Sequence, residues 1–181
     1  MAILLRAAQQ VQSIPIERGA RNTYCDSPRR SPVRLKVSTD YALRVLIYLA
    51  ASGDRYVPTS EIADAFGISA DHLSKISKSM TAGGWLEGRR GTGGGVRLTV
   101  DPAALRIGAV VAELEAPELV ECFQEATDAC TISPSCRLKG ALLDARAAFL
   151  EVLDAYTLEE LARGKELRRL LSLAEPPPVP E

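Results

Sequence analysis

Thr59-Ser-Glu-Ile62-Ala63-Asp-Ala-Phe66-Gly67-Ile68-Ser69-Ala-Asp71-His72-Leu73-Ser74-Lys75-Ile76-Ser77-Lys78-Ser79-Met80-Thr-Ala82 is the stretch whose reading decides the fold. Thr59 is positioned to cap a short helix over Ser60–Phe66. Gly67 stops it, because glycine readily adopts the left-handed conformation that ends a helix. Ile68-Ser69 makes the turn, and Ser69 can cap a second helix from Asp71 to about Ala82. Two short helices joined by a glycine-containing turn have the helix-turn-helix pattern. In the second helix Leu73, Ile76, Ser77 and Met80 share one face. His72, Ser74, Lys75, Lys78 and Ser79 fall on the other. That outer face is polar and basic, as a reader of the DNA major groove needs. The alternative at this point is an ordinary amphipathic helix pair with a solvated face.

Immediately downstream, Trp85–Arg90 reads as a strand, Gly91-Thr92-Gly93-Gly94-Gly95 as a turn, and Val96–Val100 as the return strand. A basic hairpin after a helix-turn-helix is a wing. Its glycines let the backbone approach phosphates, and Arg89, Arg90 and Arg97 supply charge. A nucleotide-phosphate loop fits poorly, since no G-x-x-x-x-G-K-[ST] pattern is present and no helix starts there.

Upstream, a first helix is expected to begin at Ser38 or Thr39 and to run through Tyr41, Ala42, Val45, Leu46 and Leu49 to Gly53. Asp40 in its first turn suits the positive end of the helix dipole. Residues 1–32, with Pro15, Pro28, Pro32 and no periodicity, read as a disordered tail. Val33-Arg34-Leu35 is an alternative start if Val33 is encoded by GTG. Downstream, Asp101-Pro102 signals a helix carrying Leu105, Ile107, Val110, Val111 and Leu114. After a loop, Ser133-Pro134 opens a long helix with Leu138, Leu142, Ala145, Phe149, Val152, Leu153 and Tyr156 along it. Its stripe suits dimerisation, or packing on its own domain. Thr157-x-x-Glu160 is a capping box for a short last helix, and 165–181 reads as a disordered tail. The expected architecture is mainly α with a small β-hairpin wing. A winged helix-turn-helix covers 33–101, and a loop with dimerisation helices covers 102–164.

The loop is Cys122-Phe-Gln-Glu-Ala-Thr-Asp128-Ala-Cys130-Thr-Ile-Ser-Pro-Ser-Cys136, a C-x7-C-x5-C spacing. Cys136 falls at the start of the long helix, where free backbone N–H groups favour negative charge. No apolar run is long enough for a membrane span and no signal peptide is recognisable, so a cytoplasmic, thiol-reducing location is expected. Three thiols in one loop then suit zinc or an iron–sulfur cluster better than disulfides. Zinc ribbons use C-x2-C pairs, and neither gap here is that short. Cys25 lies far from the loop and is left out of the site. The single histidine, His72, sits on the DNA-reading face and is a poor ligand candidate. No cysteine has a histidine partner in sequence and no paired-carboxylate signature stands out, so an enzyme is not expected.

Charge is divided along the chain. Residues 1–70 and 71–100 each carry a balance of +3, and residues 101–181 a balance of −7, within a net charge of −1. A basic front suits a polyanionic partner.

The combination resembles a known family, the iron–sulfur winged-helix repressors that include IscR, RirA and NsrR. The resemblance is carried by Ser38–Arg44, Ile62-Ala63, Gly67-Ile-Ser69, His72-Leu-Ser-Lys75, the wing Arg90–Leu98 and the three-cysteine loop. Glu121-Cys122-Phe123 and Cys136-Arg-Leu-Lys-Gly-Ala141 are most similar to the nitric-oxide-sensitive NsrR branch. The resemblance implies a homodimer on a palindromic double-stranded DNA operator, and one cluster per subunit on Cys122, Cys130 and Cys136. Asp40 of the partner subunit would be the fourth ligand, and nitric oxide would release DNA. The position at which IscR has a histidine ligand is Lys139 here, so a 4Fe–4S cluster is implied rather than 2Fe–2S. An iron- or cluster-status sensor of the RirA kind and a zinc-binding structural protein are the alternatives.

Overall fold

The computed structural model describes residues 34–115, 120–124 and 128–171. The expected N-terminal tail, with Cys25, and the last ten residues lie outside them. From Leu35 onward the chain forms one compact unit, and no described helix is long and apolar enough to cross a membrane.

Helix α1 spans Val37–Ser52 and buries Ala42, Val45, Leu46, Tyr48 and Leu49. It begins earlier than expected. Lys36, not Ser38 or Thr39, holds the cap position, and its carbonyl accepts from the N–H groups of Thr39 and Asp40. Its own N–H donates to Glu115 Oε1 at 2.7 Å. Thr39 is instead buried in the first turn. A contact 79 residues away in sequence thus fixes the residue that precedes the helix, and no side chain caps the first turn.

Helix α2 (Thr59–Phe66) follows Pro58, so Thr59 is its first residue rather than its cap. Gly67 adopts φ 62°. The Gly67 N–H donates to the Asp64 carbonyl and that of Ile68 to the Ala63 carbonyl, the paired bonds of a Schellman stop. Buried Ile68 seals it. Helix α3 (Ala70–Ala82) has Ser69 at its cap position, without a side-chain capping bond, and buries Leu73, Ser77 and Met80. Strands β1 (Leu86–Arg89) and β2 (Gly95–Leu98) pair antiparallel with Leu86 opposite Leu98 and Glu87 opposite Arg97. A bridge between Val57 and Val96 anchors the hairpin to the chain before α2.

Asp101-Pro102 makes a capped turn but not the helix expected of it. Asp101 Oδ1 accepts from the Ala103 N–H, and the helix proper, α4 (Ile107–Leu114), begins after Arg106. Arg106 is extended because it bridges Thr157, while the Ile107 N–H donates to the Tyr156 carbonyl. Asp154 caps α4 from outside, its Oδ1 accepting from the Ala109 N–H at 2.9 Å. Helix α5 (Arg137–Asp154) is the expected long helix and packs on α4, but Ser133-Pro134 does not open it: Ser133–Ser135 form a separate 3-10 turn, and the chain is extended at Cys136, the cap of α5. Helix α6 (Leu158–Ala162) carries the predicted capping box and packs on α1. Helix α7 (Lys165–Leu170) lies where a tail was expected. Leu171 after it is buried, and Arg168 donates to the Ala51 carbonyl.

One hydrophobic cluster joins these parts. Val45, Leu46 and Leu49 of α1 meet Ile62, Leu73 and Leu86 of the winged helix, and Val110, Val111 and Leu158 of the later helices belong to the same cluster. Each fully buried Leu or Ile contributes roughly 1.5–3 kcal/mol. The boundary expected after residue 101 therefore runs through a shared core.

Candidate DNA-binding face and cysteine loop

Burying Leu73, Ser77 and Met80 turns the opposite face of α3 outward, so His72, Lys75, Lys78 and Ser79 are exposed and Ser74 is half-buried. Ser69 is exposed just before the helix. A cleft of about 320 Å³ lies between α3 and the hairpin. Ser74, Lys78, Arg89 and Arg90 line it together with Thr59 and Thr81. Four of the predicted DNA-contacting residues are thereby gathered along one concave surface.

Arg97 is placed differently. Its Nε donates to Glu87 Oε1 at 2.8 Å and its Nη1 to Asp54 Oδ1 at 2.9 Å. Its guanidinium lies 4.8 Å from the centre of the Tyr56 ring. Arg89 stands over the same ring at 4.3 Å, and its Nη2 donates to the Gly93 carbonyl at 2.8 Å. The Tyr56 hydroxyl donates to Glu87 Oε1 at 2.7 Å. That bond, with the Arg97 bond second, holds the Glu87 carboxyl below the usual carboxylate range. Sequence reading missed Tyr56, Asp54 and Glu87. The pairing of Glu87 with Arg97 was not legible either, since a turn centred on Gly91–Gly95 would set Arg89 opposite Arg97, whereas the observed register is centred on Thr92 and draws Gly95 into β2.

Asp40 is half-buried in the first turn of α1. Its carboxylate accepts from Arg44 Nε at 3.2 Å and from Arg44 Nη2 at 2.7 Å. The Arg44 guanidinium in turn lies 5.6 Å from the Tyr41 ring centre and 5.9 Å from that of Phe66, the last residue of α2.

Cys122 sits in a single 3-10 turn (Glu121–Phe123), Cys130 is exposed, and Cys136 occupies the cap position of α5. All three are free thiols. The Cys136 Sγ accepts from the Lys139 N–H at 3.4 Å. Asp128 ties the second half of the loop together. Its carboxylate accepts from the Cys130 N–H at 3.1 Å, from the Ser133 hydroxyl, and from Lys139 Nζ at 3.3 Å. The Ser133 bond is the main reason the Asp128 carboxyl is held below its ordinary range. Asp128, Ser133 and Lys139 went unnoticed in the sequence as an ordering device. Reduced thiols in one segment are the donor set a thiolate-bound metal centre needs. Among the described residues, however, no three His, Cys, Asp or Glu side chains converge to hold a metal ion, and Asp40 meets Arg44 rather than a cysteine.

A helix-turn-helix with a glycine-rich wing, an exposed basic face on its second helix and a long trailing helix defines a winged-helix transcriptional regulator. Residues 35–164 match the model of the Rrf2 family, described as an iron-dependent transcriptional regulator, and the chain belongs to that family. It is 42% identical over 146 residues to the HTH-type transcriptional regulator NsrR of Bacillus subtilis strain 168, covering 79% of this chain and 100% of that protein. It is 48% identical over 136 residues to NsrR of Geobacillus kaustophilus, covering 74% and 92%. Among solved structures it is similar to CymR, the global cysteine regulator of B. subtilis (26% identity, TM-score 0.56, 72% of this chain and 97% of that one). IscR of T. potens shares the fold (21% identity, TM-score 0.57, 71% and 86%). The family consists of transcriptional regulators, not enzymes.

Proposed function

We propose that this chain is a cytoplasmic, homodimeric repressor whose operator binding depends on an iron–sulfur cluster and is released by nitric oxide. The observation that carries this reading is the set of three free thiols, Cys122, Cys130 and Cys136, in the segment between α4 and α5 of a winged-helix regulator. The similarity to NsrR proteins supports the choice of signal. These cysteines would hold the cluster, 4Fe–4S rather than 2Fe–2S, with the partner subunit's Asp40 as fourth ligand. When bound, the cluster supplies a soft iron centre that reacts with nitric oxide.

The chain's own residues provide the rest. Each subunit presents one α3 to a half-site of a palindromic operator. Ser69, His72, Ser74 and Lys75 face the bases, and Lys78 and Arg90 face phosphates. Asp128 and Lys139 order the Cys130–Cys136 half of the loop. Asp40 has a ready partner in Arg44 of its own helix, so its carboxylate loses little when it is not engaged elsewhere. Because Arg44 lies against Phe66, the engagement of Asp40 is felt at the end of α2. Loop and reading head are thereby linked through α1.

The test is an absorption spectrum of anaerobically purified protein before and after nitric oxide, with iron, sulfide and operator-binding assays on the same sample. A brown protein that bleaches while DNA binding falls in proportion is expected. A colourless protein with about one zinc per chain would overturn the reading in favour of a structural zinc site. The description of the family as iron-dependent favours a second reading, an iron-status sensor. In that case chelation of iron would release DNA at lower dose than nitric oxide.

A further inference from the structure

Of the three wing arginines, two are engaged within the protein. Arg97 spends its Nε and Nη2 on Glu87 and its Nη1 on Asp54. Arg89 closes the turn onto Gly93 and stacks on Tyr56. Among the described residues, Arg90 has no such partner. Tyr56 belongs to the segment before α2, one residue from the Val57–Val96 bridge where the hairpin is rooted. Its ring supports both Arg89 and Arg97, and its hydroxyl holds the carboxylate that lies opposite Arg97 in the hairpin register. The group therefore connects β1, β2 and the α1–α2 segment. A carboxylate beside a DNA-facing wing is electrostatically unfavourable for binding a polyanion. Its presence makes physical sense where it organises the wing.

We propose that Tyr56, Glu87, Arg97 and Asp54 form a clasp that sets the angle of the wing to α3, so that Arg97 is a positioning residue and Arg90 the wing's phosphate contact. The inference rests on the DNA-binding reading and goes beyond it by dividing the wing arginines into two roles. A guanidinium held in a fork by two carboxylates and stacked on a ring cannot be replaced by an ammonium, which lacks the planar geometry. A phosphate contact largely can.

The experiment uses the full chain and a labelled duplex selected by the wild-type protein from a random-sequence library. Affinity is measured across a range of salt for Y56F, E87Q, R97K, R97Q and R90Q, with thermal unfolding of each variant alongside. E87Q, Y56F and R97K are expected to weaken binding several-fold, with the salt slope unchanged. R90Q is expected to weaken binding and to lower the slope by about 0.9, the value for one lost phosphate contact on duplex DNA. Equal or tighter binding by E87Q would overturn the clasp. So would R97Q losing about one unit of slope while R97K behaves as wild type. If the wild-type protein selects no duplex at all, the DNA-binding reading fails and takes the clasp with it. Wild-type binding with a tighter E87Q defeats the clasp alone.

Discussion

Gly95 stands where no side chain fits. Its φ is 151°, and a Cβ there would lie 2.2 Å from the Val57 carbonyl oxygen. That oxygen accepts the Val96 N–H and forms half of the bridge that roots the wing. Gly95→Ala must therefore combine an unfavourable backbone conformation with displacement of main chain, not of a flexible side chain. Strain of the first kind alone is on the order of 1–3 kcal/mol. The urea midpoint should fall by the equivalent of at least ~2 kcal/mol. An unchanged midpoint would mean that the hairpin is not held by this close approach. At this scale the sequence was only partly legible. The glycine run announced a turn, but nothing local distinguishes Gly95, which must avoid Val57, from Gly91, whose Cβ would meet nothing. Likewise Arg97 looked like Arg90 until Tyr56 and Asp54, some 40 residues earlier, were placed beside it. Residue types named the chemistry of the site, whereas roles came from contacts distant in sequence.

Elements whose signals are local were read well, and those governed by distant partners were not. The α2–turn–α3 unit carries its own stop in Gly67 and its own inward stripe, and Thr157–Glu160 its own capping box. The start of α1 depends on Glu115, and the late start of α4 depends on a bridge to Thr157, so neither could be seen locally. Helix α5 combines the two cases. Leu138, Leu142, Ala145, Phe149, Val152 and Tyr156 recur at alternating spacings of four and three, the seam of a coiled coil. Leu150, Leu153 and Tyr156 pack on the chain's own core. Leu138, Phe149 and Val152 remain 65%, 41% and 51% exposed. A stripe of large apolar groups on an 18-residue helix is costly to leave in water, and a second copy of the same seam would cover it. The double variant Phe149→Glu, Val152→Glu should therefore turn a dimer into a monomer in sedimentation equilibrium, with little change in helix content. A variant that stays dimeric would place the interface elsewhere.

On the scale of the whole molecule, the reading head and the helices that flank the cysteine segment are not separate bodies. Helix α1 packs against α3, α4 and α6, and a single core runs through them. A change at α1 is consequently transmitted by packed side chains rather than along a flexible linker. Asp40 is half-buried on that helix and bonded to Arg44, which reaches Phe66 at the end of α2. If the partner's cysteine segment engages Asp40, the two heads are tied to each other's loops and the spacing of the two α3 helices is set. On the cluster reading proposed above, removing the carboxylate should leave the three thiols, and hence iron and sulfide content, nearly intact. It should remove most of the difference in operator affinity between loaded and cluster-free protein. A coupling of about 1–3 kcal/mol corresponds to a roughly 5–150-fold difference in wild type. In Asp40→Ala that ratio should fall close to one, while Cys130→Ser should lose the iron itself. Should Asp40→Ala keep both its iron and the wild-type affinity ratio, the link between loop and head must run through α4 and α5 instead, where Asp154 caps one helix from the end of the other.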